Sequence, residues 1–291
     1  MKSSCVLFLF LVSVCGKSES IGPAATEPVP AVLGGILPAP IKDKDYRLVF
    51  EENFDGPAGT PAQKEQWSDW YLGPRKDAFN VPEACRLDGK GNLVITVKRA
   101  NNRIEAGGID TRRKFAATHG YYECRCRMLN SPGAWSAFWV QSPTIGKPVG
   151  DPANAGVEMD VVEYFPGHRK YKDQARHTVH WDGYEKLHHK TESVGKAMRN
   201  LAADFHTFAM KWDEEGYVFY IDGVESGRLR QAPVSNRPQY MILSCEAAKW
   251  SGDISKAKLP GAFVVDHVRV WQTPAQIEAD LKRPDAVRPG K

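Results

Sequence analysis

The sequence predicts an all-β fold in which two antiparallel sheets pack as a sandwich or jelly roll. Short apolar or alternating runs are separated by Gly, Pro, Asn and Asp, a pattern typical of strands joined by turns. The intervals between the runs offer few helical patterns of the length that a TIM barrel requires. A chain of 291 residues with 42% hydrophobic residues is sufficient for one large β domain with a buried core.

Ten runs of β-branched, aromatic and alternating apolar residues are predicted strands. In chain order they are Leu48–Phe54, Leu93–Arg99, Tyr121–Leu129, Trp135–Gln141, Val157–Phe165, His177–Trp181, Phe205–Trp212, Tyr217–Ile221, Tyr240–Cys245 and Phe263–Trp271. A helix is predicted after them, with Thr273 as N-cap, Pro274 at the first helical position and Gln276 completing a capping box. Residues 45–272 are therefore predicted to form the β domain, and residues 273–291 a C-terminal helix and tail.

The N-terminal residues predict export. Met1 and Lys2 precede the apolar run Val6–Val14, which is too short to span a bilayer, so residues 1–16 are predicted to be a secretory signal peptide. Residues 17–44 are rich in Pro, Ala, Gly and Ser, and are predicted to be a linker.

Cys15 ends a segment that resembles a bacterial lipobox, although Val14 stands where that motif has a small residue. A lipid anchor at Cys15 and ordinary cleavage nearby both remain open. No later segment is long and apolar enough to be a transmembrane helix. We expect a monomer that is secreted or periplasmic.

The remaining cysteines permit two disulfides in an oxidising compartment without requiring any. They are Cys85, Cys124, Cys126 and Cys245. Tyr122, Cys124, Cys126 and Met128 form a plausible inward stripe of one strand, which favours buried free thiols. Zinc is not expected, because no paired Cys-x-x-Cys spacing and no His-Glu-x-x-His motif occurs.

Three carboxylates interrupt the apolar run 156–165. On a regular strand Glu158 and Asp160 share a face and Glu163 lies on the opposite one. One bulge between Asp160 and Glu163 would bring all three to one face. Two glutamates on one wall would suit a retaining glycosidase, whose nucleophile and acid/base lie roughly 5–5.5 Å apart. The alternative is an edge strand with solvated charges, which the surrounding apolar residues disfavour.

The spacing Glu158-x-Asp160-x-x-Glu163 resembles the bulged signature of glycoside hydrolase family 16, the form found in bacterial laminarinases, agarases, porphyranases and carrageenases. Further segments resemble the same family in the right order. They are Gly120–Arg127, Gly133–Trp139, Phe205–Trp212 leading to Tyr220–Gly223, and Val265–Trp271. The resemblance covers residues 45–272, which it implies to be a catalytic domain with a concanavalin A-like jelly-roll fold and a concave substrate cleft.

The resemblance implies roles for the carboxylates in cleaving an extended polysaccharide with no cofactor for catalysis. Glu158 matches the nucleophile, Glu163 matches the acid/base, and Asp160 lies between them. Mutual repulsion in such a cluster drives the carboxyl pKa values apart, as an acid and a nucleophile at one pH require. Asp160 is expected to share a proton with Glu158 and to orient it.

Aromatic and basic side chains are candidates for binding the polysaccharide, since aromatic faces stack on sugar rings. Trp135 and Trp139 share a strand face just before the carboxylates, while Trp181 and Trp250 are weaker candidates. Trp212 and Trp271 are expected in the core. His180 is favoured over His177, because the two lie on opposite strand faces and the resemblance matches His180 to a histidine near the acid/base. His188 and His189 are expected to be solvated, and Arg113 is a candidate if its loop flanks the groove.

Many members of the family bind a structural calcium far from the carboxylates. The matching positions are Asp266, Glu52 and the carbonyl of Gly91, which would supply the oxygen ligands that calcium prefers. The run from Glu51 to Phe54 departs from the usual Asp-Glu-Phe, so this calcium site is an open expectation.

Charge favours an anionic substrate without deciding it. Between residues 167 and 190, six basic residues face three acidic ones: Arg169, Lys170, Lys172, Arg176, Lys186 and Lys190 against Asp173, Asp182 and Glu185. Arginine suits sulfate as it suits phosphate, so a sulfated or agar-type galactan is the favoured substrate and a β-1,3-glucan the alternative. A lectin-like domain and a transglycosylase are weaker alternatives. A net charge of +4 without a recognition motif argues against nucleic acid.

Overall fold

Antiparallel strands form most of the computed structural model, which describes residues 38–42, 44–171, 174–194 and 201–288. All of the described residues belong to the same compact unit. They form β1 (Arg47–Glu52), β2 (Ser68–Asp69), β3 (Gly73–Arg75), β4 (Ala78–Asn80), β5 (Cys85–Leu87), β6 (Leu93–Ala100), β7 (Arg103–Asp110), β8 (Gly120–Arg127), β9 (Ala134–Gln141), α1 (Pro152–Ala155), β10 (Glu158–Tyr164), β11 (Ala175–Trp181), β12 (His189–Val194), β13 (His206–Asp213), β14 (Gly216–Ile221), β15 (Val224–Leu229), β16 (Tyr240–Ala247), β17 (Gly261–Gln272) and α2 (Pro274–Leu281). Short 3-10 helices occupy Ala39–Ile41, Pro82–Ala84, Lys249–Ser251 and Ile254–Lys256.

The strands form two sheets that pack on each other. The first, which we call the carboxylate sheet, has the order β12-β11-β10-β9-β16-β7-β2. The second has the order β15-β14-β13-β8-β17-β1, and the first half of β17 pairs with β6, which pairs with β5. A pairing of β6 with β7 joins the two sheets. This open, antiparallel arrangement confirms the predicted all-β jelly-roll class.

One core lies between the sheets, and it determines which side chains of the carboxylate sheet face away from it. Met159 and Val161 of β10 join Tyr122 and Cys124 of β8 in the same apolar cluster. Residues of alternate parity lie on the other side of the sheet, which we call its outer face. The functional candidates are therefore on the outer face of β9, β10, β11 and β16.

All ten predicted strands occur, with ends within two residues of those expected. The sequence did not predict β7, which contains Gly107 and Gly108, nor β12, β15 and the short strands β2 to β5. Glycine is unfavourable in strands, but the absence of a side chain at Gly108 lets neighbouring atoms pack closely against the backbone of β7. A Cβ on Gly108 would lie 2.7 Å from the carbonyl oxygen of Leu243 and 2.9 Å from the ring of Trp70.

The C-terminal helix α2 begins as predicted. Thr273 and Gln276 form the capping box, with Pro274 in the first turn. Asp280, buried in the same helix, accepts hydrogen bonds from the backbone N–H of Thr118 at 3.0 Å and from Gln272 at 2.9 Å. These bonds fix α2 to the strands, as expected for a helix packed against the sandwich.

The four cysteines of the β domain are buried free thiols, as the inward stripe predicted. The predicted signal peptide, Cys15 and most of the linker lie outside the described residues, so those assignments and the domain boundaries stay predictions. Within the described ranges, no helix has the length and apolar character needed to cross a membrane.

Candidate active site

A bulge in β10 brings the three carboxylates together. Asp160 pairs with Thr178 of β11, but Glu163 pairs with Arg176, so three steps along β10 match two along β11. The register with β9 shifts at the same place. The extra residue moves Glu163 to the face that Glu158 and Asp160 occupy, which confirms the predicted bulge.

Glu163 is buried and accepts two hydrogen bonds. Trp135 Nε1 donates to one carboxylate oxygen at 3.1 Å, and the Thr178 hydroxyl donates to the other at 3.3 Å. Burial and the neighbouring Asp160 raise the pKa of Glu163 well above its ordinary value, while His180 and Arg176 oppose the rise. Glu163 is therefore suited to hold a proton near neutral pH.

Glu158 is less buried than Glu163. Its Oε2 accepts a hydrogen bond from Gln141 Nε2 at 2.8 Å and a short one from the Tyr184 hydroxyl. Burial and the nearby Glu158 raise the pKa of Tyr184, so this hydroxyl keeps the proton that it donates. Gln141 is held in turn by the Tyr240 hydroxyl, which donates to its Oε1 at 2.6 Å. Two uncharged donors, a carboxamide and a phenol, thus hold one oxygen of Glu158.

Asp160 and His180 connect the two glutamates. Asp160 is buried, and burial together with Glu158 raises its pKa well above the ordinary value. His180 Nε2 lies 3.3 Å from Asp160 Oδ2 and 3.9 Å from Glu158 Oε1. The arrangement fits a proton shared within the cluster.

A second histidine holds His180. His188 Nε2 lies 2.8 Å from His180 Nδ1, and the two rings are stacked with centroids 5.0 Å apart. Burial lowers the pKa of His188, and His180 lowers it further, which favours a neutral imidazole. The expectation that His188 is a solvated loop residue was wrong. His177 is instead in the core, where it stacks on Phe219 and contacts the carbonyl of Val161.

The predicted tryptophans have different positions. Trp135 is half-buried beside Glu163 and packs edge-on against exposed Trp250. Trp139 is buried on the outer face, where its indole donates to Ser244 at 3.2 Å and packs edge-on against a further tryptophan, Trp70. Trp181 lies on the core side of β11, opposite in parity to His180, and packs against the core. Trp212 and Trp271 are buried, as expected.

The basic candidates are only partly brought to the site. Arg113 is exposed, and none of the contacts of the described residues joins it to the carboxylates. Arg176 is buried and forms a short ion pair with Glu192, and Lys190 also contacts Glu192, at 3.3 Å. Their charges are thus partly compensated. Lys172 and Asp173 of the basic segment lie outside the described residues.

Both carboxylates expected to bind calcium already have partners in the protein. Asp266 contacts Arg125 through one oxygen and His267 through the other, at 3.2 Å in the second case. Glu52 accepts hydrogen bonds from the backbone N–H of Phe54 and from the Trp67 indole. As arranged, these residues do not fit a calcium site, because basic side chains engage both oxygens of Asp266. In the described part of the chain, the group with metal-like spacing is Glu158, Asp160 and His180 themselves, with ligand atoms within 4.8 Å of one another.

Sequence reasoning missed several residues of the site. Gln141 could have been found by alternation, since it follows Trp139 by two positions on the same strand face. Thr178 has the parity of His180 and could have been found in the same way. Tyr184 and His188 belong to a connection between strands, where no periodicity indicates which side chain turns back to the carboxylates.

The comparisons with known proteins agree with this fold. The model of glycosyl hydrolases family 16 matches residues 76–269. The chain is 27% identical over 256 residues to a keratan-sulfate endo-1,4-beta-galactosidase of Sphingobacterium multivorum, covering 82% of this chain and 58% of that protein. It is 28% identical over 222 residues to an endo-1,3-1,4-beta-glycanase of Rhizobium meliloti, covering 71% of this chain and 43% of that protein. The chain thus spans about half the length of these curated relatives.

The solved structures include a laminarinase from Flavobacterium sp. UMI-01 with the same fold. The TM-score is 0.62 and the sequence identity is 22%. The alignment covers 78% of this chain and 100% of the laminarinase chain. Since the family match extends over most of the β domain and includes the bulged strand, the chain belongs to glycosyl hydrolases family 16.

Proposed function

We propose that this protein is a retaining endo-β-glycosidase, with Glu158 as nucleophile and Glu163 as acid/base. The bulge of β10 carries the proposal, because it brings a buried carboxyl group with a raised pKa to the same face as a second, less buried one. A retaining mechanism needs this contrast between a protonated and an ionised carboxyl group. A lectin-like binding domain would have no need of it.

The reaction follows from the two roles. Glu163 protonates the glycosidic oxygen while the Glu158 carboxylate attacks the anomeric carbon. The bond between that carbon and the glycosidic oxygen breaks, the remainder of the chain leaves as an alcohol, and a covalent glycosyl-enzyme forms. Glu163, now ionised, removes a proton from water, and the water attacks the same carbon and releases Glu158. Two inversions give net retention. Asp160 and His180 keep Glu158 oriented, and Tyr184 and Gln141 donate to it.

The favoured substrate is a sulfated galactose-containing glycan. The similarity to a protein named for endo-1,4-β-galactosidase activity on keratan sulfate supports this choice, as does the basic segment after β10. The second candidate is a β-1,3-glucan, supported by the similarity to the Rhizobium glycanase and the Flavobacterium laminarinase. The bulged spacing, rather than an unbulged Glu-x-Asp-x-Glu, disfavours a specialised transglycosylase.

Release of reducing ends from a panel of polysaccharides tests the function. The panel comprises keratan sulfate, agar, porphyran, carrageenan, laminarin and lichenan. We expect cleavage of at least one of the first four polymers, which contain galactose and which we call galactans, with the β anomer of the product formed first in early NMR spectra. Initial formation of the α anomer would contradict the retaining mechanism.

Salt dependence tests the charge of the substrate. Exposed attractions are screened within about 10 Å at 0.1 M salt, so activity on a sulfated galactan should fall steeply as salt is added. The same titration with a desulfated polymer is the control. Salt-insensitive cleavage of laminarin, with no activity on any galactan, would make the β-glucan the substrate.

We also propose that the protein is exported, because of the predicted signal peptide at residues 1–16. Mass spectrometry of the protein from its native cells would show whether the N-terminus is cleaved and whether Cys15 carries lipid.

A further inference from the structure

A buried ion pair lies on the outer face of the carboxylate sheet, two strands away from β10. Glu246 of β16 pairs in register with Trp135 of β9 and is 1% exposed. Its Oε2 lies 2.6 Å from Arg75 Nε, while neither oxygen accepts a hydrogen bond of regular geometry from a described residue. Since a buried carboxylate is costly without a partner, Arg75 is the group that makes Glu246 tolerable there.

Arg75 is held on several sides. Its Cζ atom lies 4.8 Å from the ring centroid of Trp70 and 5.1 Å from that of Tyr71. The β3–β4 turn that follows is tied to β16, because Asp77 donates its backbone N–H at 3.0 Å to the residue after Glu246. Stacking, the carboxylate and the anchored turn together restrict the guanidinium to one orientation.

The terminal nitrogens of Arg75 are available to a ligand. Nε makes the closest contact with the Glu246 carboxylate, and among the described residues neither Nη1 nor Nη2 donates a hydrogen bond. The side chain keeps 22% of its surface exposed. The next residue adds a second cation, since Lys76 Nζ lies 5.2 Å from the ring of Trp250, which is 44% exposed.

The position of this pair relates it to the carboxylates. Trp135 joins the two sites, because it donates to Glu163 and is the register partner of Glu246. Neighbouring strands are about 4.8 Å apart, so β16 lies about 10 Å across the sheet from β10. A polysaccharide bound across these strands would present a sugar near the scissile bond to Arg75.

We propose that Arg75 binds an anionic substituent, a sulfate ester, on a sugar neighbouring the scissile bond, and that Glu246 is the residue that positions it. A planar guanidinium whose terminal nitrogens donate no hydrogen bond to a described residue can offer them to the oxygens of a sulfate, as it does to phosphate. This inference rests on the proposed function and specifies how a sulfated glycan would be selected.

Binding without turnover tests the proposal directly. The full chain carrying Glu163→Gln would be titrated by calorimetry with keratan sulfate oligosaccharides and with the same oligosaccharides after chemical desulfation. Adding Arg75→Gln should weaken binding of the sulfated form by about tenfold or more, and that of the desulfated form by less than about twofold. Arg75→Lys and Glu246→Gln should have intermediate effects, because each keeps one part of the arrangement.

Arg228→Gln is the matched control, since Arg228 forms an ion pair with Glu225 on β15 of the other sheet. It should leave both affinities unchanged, and thermal unfolding would verify that each variant folds. Equal losses for both ligands, or no loss, would overturn the inference while leaving the function in place. Wild-type protein that neither cleaves nor binds a galactan, but cleaves laminarin, would overturn the proposed function and the sulfate site together.

Discussion

Burial distinguishes the two glutamates of β10. Glu163 is buried and Glu158 is partly exposed, although each accepts two side-chain hydrogen bonds. Desolvation disfavours the charged form of a carboxyl group, and donors favour it. The same residue type can therefore serve as acid at one position and nucleophile at the other.

Replacing either glutamate should separate the two roles. Glu163→Gln should lower kcat on a polysaccharide by about 10²–10⁴-fold, the usual contribution of general acid/base catalysis. On an aryl glycoside with a good leaving group, Glu163→Gln should slow the first step, glycosylation, by a smaller factor. Such a leaving group needs little protonation. Glu158→Gln should abolish both reactions, because no covalent intermediate forms. Wild-type turnover in either variant would contradict the assignment.

The alkaline limit of activity should depend on His180. The His180 side chain lowers the pKa of Glu163, so His180→Gln should let that pKa rise and move the alkaline limb of the kcat/KM profile to higher pH. His189→Gln is the control, since His189 stacks on Trp181 on the core side. Movement of the alkaline limb to lower pH in His180→Gln would show that a group other than Glu163 controls this limb.

At the scale of elements, β7 lets the neighbouring strand β16 and the Trp70 ring approach its backbone closely. Gly108 faces the backbone of β16 and the ring of Trp70, which packs on Trp139 of the outer face. A side chain there would separate β7 from β16 or displace Trp70. The glycine that made β7 hard to recognise is thus what allows its packing.

Gly108→Ala should therefore destabilise the protein by about 1–3 kcal/mol, the usual cost of overpacking. Chemical denaturation would measure the free energy of unfolding. Gly59→Ala is a useful comparison, because its φ of +81° is strained in an L-residue but nothing lies within 4 Å of the new Cβ. Because the φ of Gly108 is not in the positive range, an unchanged free energy of unfolding in Gly108→Ala would contradict the contact explanation.

At the scale of the whole molecule, ion pairs link strands of the second sheet that are neighbours in space but far apart in the chain. Asp266 of β17 contacts Arg125 of β8, and His267 contacts Glu123 of β8 at 3.4 Å. Arg269 reaches Glu51 of β1 at 2.8 Å. The chain's own basic residues supply the positive charge that a calcium ion would otherwise bring to Asp266.

Chelation should consequently have little effect on stability. A ligand that binds only the folded state raises the melting temperature, and its removal lowers it. We expect the melting temperature with excess EDTA to match that with added Ca²⁺. A rise of several degrees with Ca²⁺, absent with Mg²⁺, would show that calcium displaces Arg125 from Asp266.

The sequence by itself determined the fold class and the central feature of the site. Alternation indicated ten strands, because one face of each strand must be apolar to join the core. The same alternation placed Glu163 on the face opposite Glu158 and Asp160. Because joint chemistry requires the three carboxylates on one face, the sequence predicted a bulge, and β10 has it. Local signals also sufficed for the capping box of α2, whose partners are three residues apart.

Only the tertiary structure decided which distant side chains meet those carboxylates. Tyr184 and His188 reach the cluster from an irregular connection, and Arg75 meets Glu246 across most of the chain. Parity tells which face a strand residue occupies, but not which loop folds over that face. The strand order of the carboxylate sheet, set by packing of residues far apart in sequence, brings these groups together.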